Sequence, residues 1–240
     1  MPSQSQYKNQ PAESERTLFE QKPLRVHPIT WRALDTIRPH ESSNPNDLEA
    51  FCRSLREMGL FYKPILIDGE SGTILDGTHR WAGLREMDAT KAPVIEFEYL
   101  NNDEITVDTW LPVHSISHEK ILSFLDNKDI EYSTINETDG RFSIEKPVLK
   151  TENGEYSIQE DPITLFHDLE SNWSFQYVQT EGQLHSHVQR GGCGFLRTPP
   201  DKETVVQVAR QKDSVPPKYT RHEFPFKYQH IMVQLEELIP

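Results

Sequence analysis

The chain predicts a mixed α/β fold of the α+β kind, built as two lobes. Three observations carry this expectation. Apolar strand-like runs alternate with cappable helices from Leu24 to Asp126, the texture changes near Lys128 to short alternating runs around Asn153-Gly154, and regular spacing returns after Asp201. The expected division is a flexible tail over residues 1–22, a first lobe over 23–127, and a second, smaller α+β lobe over 128–240 that carries a polar C-terminal loop.

Leu24-Arg25-Val26 reads as a short strand and Trp31 to Ile37 as a brief connection, helical or extended. Pro39 biases Arg38 away from helix, so Arg38-Pro39-His40-Glu41 is a loop. Asn44 can cap a helix whose first turn holds Pro45, Asp47 and Glu49. Leu48, Phe51, Cys52, Leu55 and Met58 fall on one face of it, and Gly59 ends it. Pro64 to Ile67 is a buried strand, Asp68 to Gly72 a turn, and Thr73-Ile74-Leu75 the return. Asp76-Gly77 then leads into a helix running to Met87. Pro93 to Tyr99 alternates as a half-exposed strand, Ile105 to Leu111 is another, and Ser117 opens a helix through Leu125.

Farther on, Asn153-Gly154 marks a hairpin and Asp161-Pro162 starts a helix with Leu165, Phe166 and Leu169 on one side. Phe175 to Val178 and His185 to Leu196 read as strands. Asp201 caps a last helix, Pro216-Pro217 stiffens the loop that holds Lys218 to His222, and His230 to Val233 closes the chain as a strand.

The 240 residues carry 25 Lys and Arg against 38 Asp and Glu, a formal charge of −13. That excess disfavours a nucleic-acid backbone as the main partner, because phosphate contacts need clustered cations. The two cysteines, Cys52 and Cys193, imply no disulfide framework and fit a reducing compartment. The polar N-terminus has no apolar run of the signal-peptide kind, and no later run has the length of a membrane span. The cytoplasm, with no membrane partner, is the expected location.

Three polar constellations sit on loops beside regular elements: Pro39-His40-Glu41, Asp76 to Arg80, and Lys218 to His222. A strand that ends at the mouth of a helix offers free backbone N–H groups and the positive end of the helix dipole. Here that mouth carries a hydroxyl (Thr78), an imidazole (His79) and a guanidinium (Arg80), donors that suit a phosphate. Arg80 can grip phosphate oxygens through two N–H groups, whereas Asp76, an anion, suits Mg²⁺ or the orientation of His79. Taken alone, each constellation also reads as an ordinary solvated turn.

Together they carry a resemblance. Asp76-Gly77-x-His79-Arg80, after Pro64-Ile65-Leu66-Ile67 and before a helix, resembles the phosphate-binding motif of the ParB/sulfiredoxin superfamily. Within that group, Pro39-His40-Glu41, Val107-Asp108-Thr109-Trp110 and Pro216-Pro217-Lys218-Tyr219-Thr220-Arg221-His222 resemble the free L-serine kinases, in the same order along the chain. The resemblance implies a ParB/sulfiredoxin-like nucleotide-binding first lobe and transfer of a phosphoryl group from ATP or ADP, with Mg²⁺, to free L-serine, giving O-phospho-L-serine. It implies Glu41 as the base for the attacking hydroxyl and Asp76, Gly77, Thr78, His79 and Arg80 as the phosphate site. Trp110, Lys218, Thr220, Arg221 and His222 are the implied amino-acid site, with Arg221 on its carboxylate. The family pattern has two consecutive histidines in the turn. Thr78 replaces the first and can donate to a phosphate without carrying charge.

The alternatives are a kinase of another free hydroxyl amino acid, such as threonine or homoserine, and a ParB-like nucleotide-binding regulator without kinase activity. A DNA-binding switch would want a basic face and a helix-turn-helix, and a sulfiredoxin-like reductase a cysteine in the turn, where Thr78 stands. His185-x-His187 would share one strand face but has no third ligand nearby, so a polar face is expected. Gly191-Gly192-Cys193-Gly194 reads as a hairpin or bulge, and Trp31 and Trp173 as packing residues.

Overall fold

The computed structural model of the chain describes residues 22–135 and 146–239. The tail expected over 1–22 lies, except for Lys22, outside them.

Strand β1 is Leu24–Arg25, and β2, Thr30–Ala33, runs into a 3-10 turn at Leu34–Thr36. Helix α1, Pro45–Met58, has the ends expected of it. The Asn44 side chain accepts from the N–H of Asn46 and Asp47, and Gly59 closes the helix at φ 66°. Cys52 and Leu55 are buried, whereas Met58 at the helix end stays 47% exposed. Strands β3 (Leu60–Phe61), β4 (Ile65–Asp68) and β5 (Ile74–Asp76) lead into helix α2, Thr78–Glu86, and strand β6, Lys91–Phe97. The β4–β5 turn is held by Asp68, whose carboxylate accepts from the N–H and hydroxyl of Ser71.

These strands form a sheet in the order β2-β6-β4-β5, with β4 and β6 parallel and the other pairs antiparallel. Both faces are covered. Ile65, Ile67, Ile74 and Val94 pack with Leu55 and Leu84 of the helices, while Leu66, Leu75, Ile95 and Phe97 pack with Val205, Phe224 and Phe226 from the end of the chain. Strand β6 serves both cores, with Ala92 and Val94 in one and Ile95 and Phe97 in the other, and its end keeps the expected half-exposed alternation, Glu96 half-buried and Glu98 exposed between buried Ile95, Phe97 and Tyr99.

Strands β7 (Thr106–Asp108) and β8 (Leu111–His114) replace the single strand expected from Ile105 to Leu111. They enter different sheets because Thr109 and Trp110 turn the chain between them. The chain continues through α3 (His118–Asn127), β9 (Tyr132–Thr134), β10 (Val148–Thr151), β11 (Gly154–Ile158), α4 (Pro162–Asn172) and β12 (Gln176–Val178). Helix α5 is Glu181–Val188 and β13 is Cys193–Leu196. The expected strand from His185 thus begins as a helix. Thr180 and Gln183 form a reciprocal capping box there, and helical spacing points His185 and His187 to different faces. Gly191, at φ 83°, turns the end of that helix into β13 and is no hairpin.

An antiparallel sheet, β12-β8-β13-β10-β11-β9, organises the second half. Ile121, Leu125, Leu165, Phe166 and Leu169 of α3 and α4 pack against its Leu149, Tyr156 and Phe195. Strand β8 and helix α3 therefore pack with the second sheet, so the layers divide near residue 110, ahead of the expected boundary at 127/128. Helix α6 is Lys202–Gln211, capped by Asp201, and β14 is Arg221–Glu223. Strands β15 (Lys227–Tyr228) and β16 (Val233–Gln234) return to the first layer, pairing with β1 and β3. Strand β16 starts later than the expected His230 to Val233. Trp173 packs edge-on to Phe124, but Trp31 is 46% exposed beneath the Lys91 ammonium and is not core.

The seating of α2 depends on Gly83, where an added Cβ would lie 2.6 Å from the Phe51 ring of α1. Gly83→Ala is expected to cost about 1–3 kcal/mol by overpacking, read from urea unfolding. An unchanged midpoint would show that the two helices can separate freely.

Candidate active site

The phosphate-type turn has the predicted form. Strand β5 ends at Asp76, Gly77 is the N-cap at φ 115°, and α2 begins at Thr78. No side chain caps this end, so the first backbone N–H groups of α2 lack helical carbonyl partners and stay available to an anion. The φ of residue 77 calls for glycine, and a Cβ there would also press on the Arg80 guanidinium at 2.9–3.0 Å.

Arg80 does not reach outward as expected. Its Nη2 lies 2.6 Å from Asp76 Oδ2, and its Nη1 donates to the Pro64 carbonyl. Tyr228 donates to the same Asp76 oxygen at 2.6 Å, its phenol pushed up to about 12 by burial and by Asp76, and so still protonated. Burial opposes the charge on Asp76, but the Arg80 guanidinium and the Tyr228 hydroxyl outweigh it and hold the carboxyl below its usual range. Asp76 therefore orients Arg80, not His79. His79 Nε2 makes no hydrogen bond and lies 3.9 Å from Asp47 Oδ2; burial, then the Lys218 charge, lower its pKa.

Across the cavity Glu41 is largely buried, its side chain 13% exposed. Its Oε1 accepts from both the backbone N–H and the hydroxyl of Thr220. Burial raises the Glu41 pKa, while the Thr220 donors and then the Arg197 and Lys218 charges work the other way. Since Thr220 spends its one hydroxyl proton on Glu41, the His40 Nε2 at 2.7 Å from that hydroxyl must be the donor, which fixes the His40 tautomer. Burial brings His40 down to about 4 and His222 to about 3, so both are neutral near pH 7. His222 Nε2 lies 2.7 Å from the Tyr99 hydroxyl, and its ring is perpendicular to His40 at 5.7 Å.

Trp110 forms a wall with two cations over its ring, Lys218 Nζ at 5.5 Å and Arg221 Cζ at 5.7 Å. Arg221, expected to face a substrate carboxylate, already pairs with Asp108 and, at 3.0 Å, with Glu223; its Nε has no partner. Lys218, at φ 60°, has no ion pair among the described residues, and its charge reaches both Glu41 and His79. It is the freer cation.

One cavity of about 330 Å³ is lined by Glu41, Asp76, Gly77, Thr78, His79, Arg80, Trp110, Lys218, Thr220, Arg221 and His222, all eleven expected site residues. It also takes in His40, Ser42, Leu75 and Phe224. Tyr228, Asp108 and Arg197, which hold the lining residues from behind, were not among the expected site residues. Val107-Asp108-Thr109-Trp110 was legible only as a segment, and no local pattern marks Tyr228 or Arg197. Among the described residues no three His, Cys, Asp or Glu side chains cluster around a metal position. The donor set suits only an ion held by one carboxylate and completed by substrate phosphates and water, the usual Mg²⁺ arrangement. Arg80 and Tyr228 both meet Asp76 at Oδ2.

No family model matches the chain. It is 29% identical over 231 residues to the ADP-dependent L-serine kinase of Thermococcus kodakarensis, across 85% of this chain and 90% of that enzyme. It is 27% identical over 216 residues to an ATP-dependent L-serine kinase of Staphylothermus marinus, across 80% and 84%. A solved free serine kinase, a glutamate-to-glutamine variant in complex with AMP, matches with a TM-score of 0.79 at 26% identity, over 92% of this chain and 98% of that one. The chain is thus similar to free serine kinases along most of its length, in sequence and in fold. It is also 25% identical over 207 residues to a ParB-like protein of Sulfolobus acidocaldarius, in line with the ParB-like fold expected of the nucleotide lobe.

The neutral histidines of this site predict a pH signature. The unfolded chain protonates His40 near 6.5, the folded chain only near 4. Its contribution to stability is complete above 6.5 and is lost as the pH falls toward 4. Urea midpoints at several pH values should show a shallower acid-side decline in His40→Asn than in the parent. Parallel curves would mean that His40 is charged in the folded state.

Proposed function

We propose that the chain is a small-molecule kinase that transfers the terminal phosphoryl group of ATP or ADP to the hydroxyl of free L-serine, yielding O-phospho-L-serine and the shortened nucleotide. The observation that carries this reading is the single cavity in which a buried, hydrogen-bonded carboxylate faces a free helix N-terminus. Phosphoryl transfer asks mainly for positioning and charge neutralisation, and these two groups supply a base and a phosphate seat.

Glu41 accepts the hydroxyl proton as the serine oxygen attacks the terminal phosphorus, and the bond to the bridging oxygen of the nucleotide breaks. Its raised pKa makes it a better base than a solvated carboxylate, and Thr220 keeps one oxygen fixed so that the other faces the proton. The N–H groups of Thr78, His79 and Arg80 hold the phosphates, with the Thr78 hydroxyl and His79 as further donors. Arg80 adds charge from behind the turn, where Asp76 and Pro64 lock it. Lys218 neutralises charge on the transferred group or the amino-acid carboxylate. Arg221 contributes its unpartnered Nε and its place on the Trp110 wall. Neutral His222 shapes the floor. Asp76 would hold Mg²⁺, which when bound would supply further charge neutralisation. The proposed setting is the reducing cytoplasm, in keeping with two free, buried cysteines.

A panel of free serine, threonine and homoserine with ATP and with ADP, read by phosphorus NMR, tests the reading. Serine is expected to be phosphorylated, with an activity that falls as acid protonates Glu41. Glu41→Gln should lower kcat by about 10²–10⁴-fold while nucleotide binding by calorimetry persists. Turnover unchanged in that variant would remove Glu41 from its role, and absence of any phosphorylated amino acid would defeat the kinase reading.

A further inference from the structure

Behind the site lies a buried cation that no carboxylate pairs among the described residues. Arg197 follows β13 and is 4% exposed. Its Nε donates to Thr109 Oγ1 at 2.9 Å and to the Trp110 carbonyl at 3.1 Å, and its Nη2 donates to the Lys218 carbonyl. Its Cζ lies 4.6 Å from the Phe166 ring and 4.6 Å from the Tyr219 ring. Thr109 Oγ1 in turn donates to the Tyr219 carbonyl at 2.8 Å. Burying a guanidinium this deeply is costly unless its fork is well satisfied, yet Nη1 has no hydrogen-bond partner.

We propose that Arg197 is a positioning residue for the phosphoryl transfer: its guanidinium clamps the Trp110 turn to the Lys218 loop and so sets the Thr220–Glu41 pair in register with the substrate. The inference rests on the kinase reading for its purpose, but its geometry stands apart from it. The clamp bonds carbonyls of two segments more than 100 positions apart in sequence (Trp110 and Lys218). Lys218 is held in the left-handed region, and two residues later Thr220 gives both its donors to Glu41. A lysine cannot reproduce this fork, since an ammonium on a flexible stem does not hold three planar acceptors in fixed directions. The clamp also acts through charge. Glu41 faces His40, neutral at working pH, the Thr220 donors, Lys218 and Arg197, and Tyr177 feels its charge in turn; the Thr220 donors favour the carboxylate most, and the charges of Arg197 and Lys218 add to them.

The test compares Arg197→Lys and Arg197→Met with the parent in steady-state kinetics over pH, nucleotide calorimetry and amide hydrogen exchange. Both variants are expected to lose about 100-fold in kcat/KM for the amino acid, the scale set by a misplacement of about 1 Å, while nucleotide affinity changes less than about threefold. Loss of the cation destabilises the Glu41 carboxylate, so the acid limb of the profile moves to higher pH in Arg197→Met and less in Arg197→Lys. Exchange should quicken in both variants over 107–111 and 216–222 and stay unchanged in β4 and α2. Unchanged exchange in those two segments, or loss of nucleotide affinity in step with activity and a general rise in exchange, overturns the clamp. A parent enzyme that phosphorylates no hydroxyl amino acid defeats the kinase reading instead, and the exchange pattern then decides the clamp by itself.

Discussion

Thr220 gives its backbone N–H and its hydroxyl to one oxygen of Glu41, across 179 positions of sequence, and the rest of the site is arranged around that contact. A parallel bridge between Glu41 and Val215, with Ser42 N–H donating to the Val215 carbonyl at 3.0 Å and Val215 N–H to the His40 carbonyl at 2.9 Å, holds the same two loops. A carboxylate taken out of water is tolerable only where donors replace the lost solvent. Glu41 therefore stays ordered only while the loop from the far end of the chain is in place. The returns of β15 to β1 and of β16 to β3 keep that loop anchored to the first layer.

Charge in the cavity is more restrained than its residue types suggest. Two of its three long cations are already engaged, Arg80 by Asp76 and Arg221 by Asp108 and Glu223, and its deepest histidines are neutral. Backbone amides at α2 and the lone ammonium of Lys218 are left to receive added negative charge. Such a site can hold phosphates in a chain of net charge −13 without a broad basic surface, because fixed dipoles and one ammonium act at short range where screening is weak.

Much of the fold was readable because local chemistry set it. Asn44, Pro45 and Gly59 frame α1, Asp76-Gly77 starts α2, Asn153-Gly154 turns β10 into β11, and Asp161 and Asp201 cap their helices. Errors arose where tertiary packing decided. The run from Ile105 to Leu111 breaks where Tyr219 and Arg197 seize Thr109 and Trp110. The helix at His185 follows from a capping box that β-like residue types conceal.

The sequence by itself marked the residues that line the cavity, because donor types, the glycine turn and the spacing of each constellation are local properties of adjacent residues. It could not determine their pairing. That Asp76 serves Arg80 and not His79, that Arg221 comes already neutralised, that Tyr228 and Arg197 stand behind the site, and that His40 and His222 are neutral were decided only by the tertiary structure. The physical reason is that ion pairing, desolvation and tautomer choice depend on distances between side chains, most of them carried by segments far apart in the chain, and folding alone sets those distances.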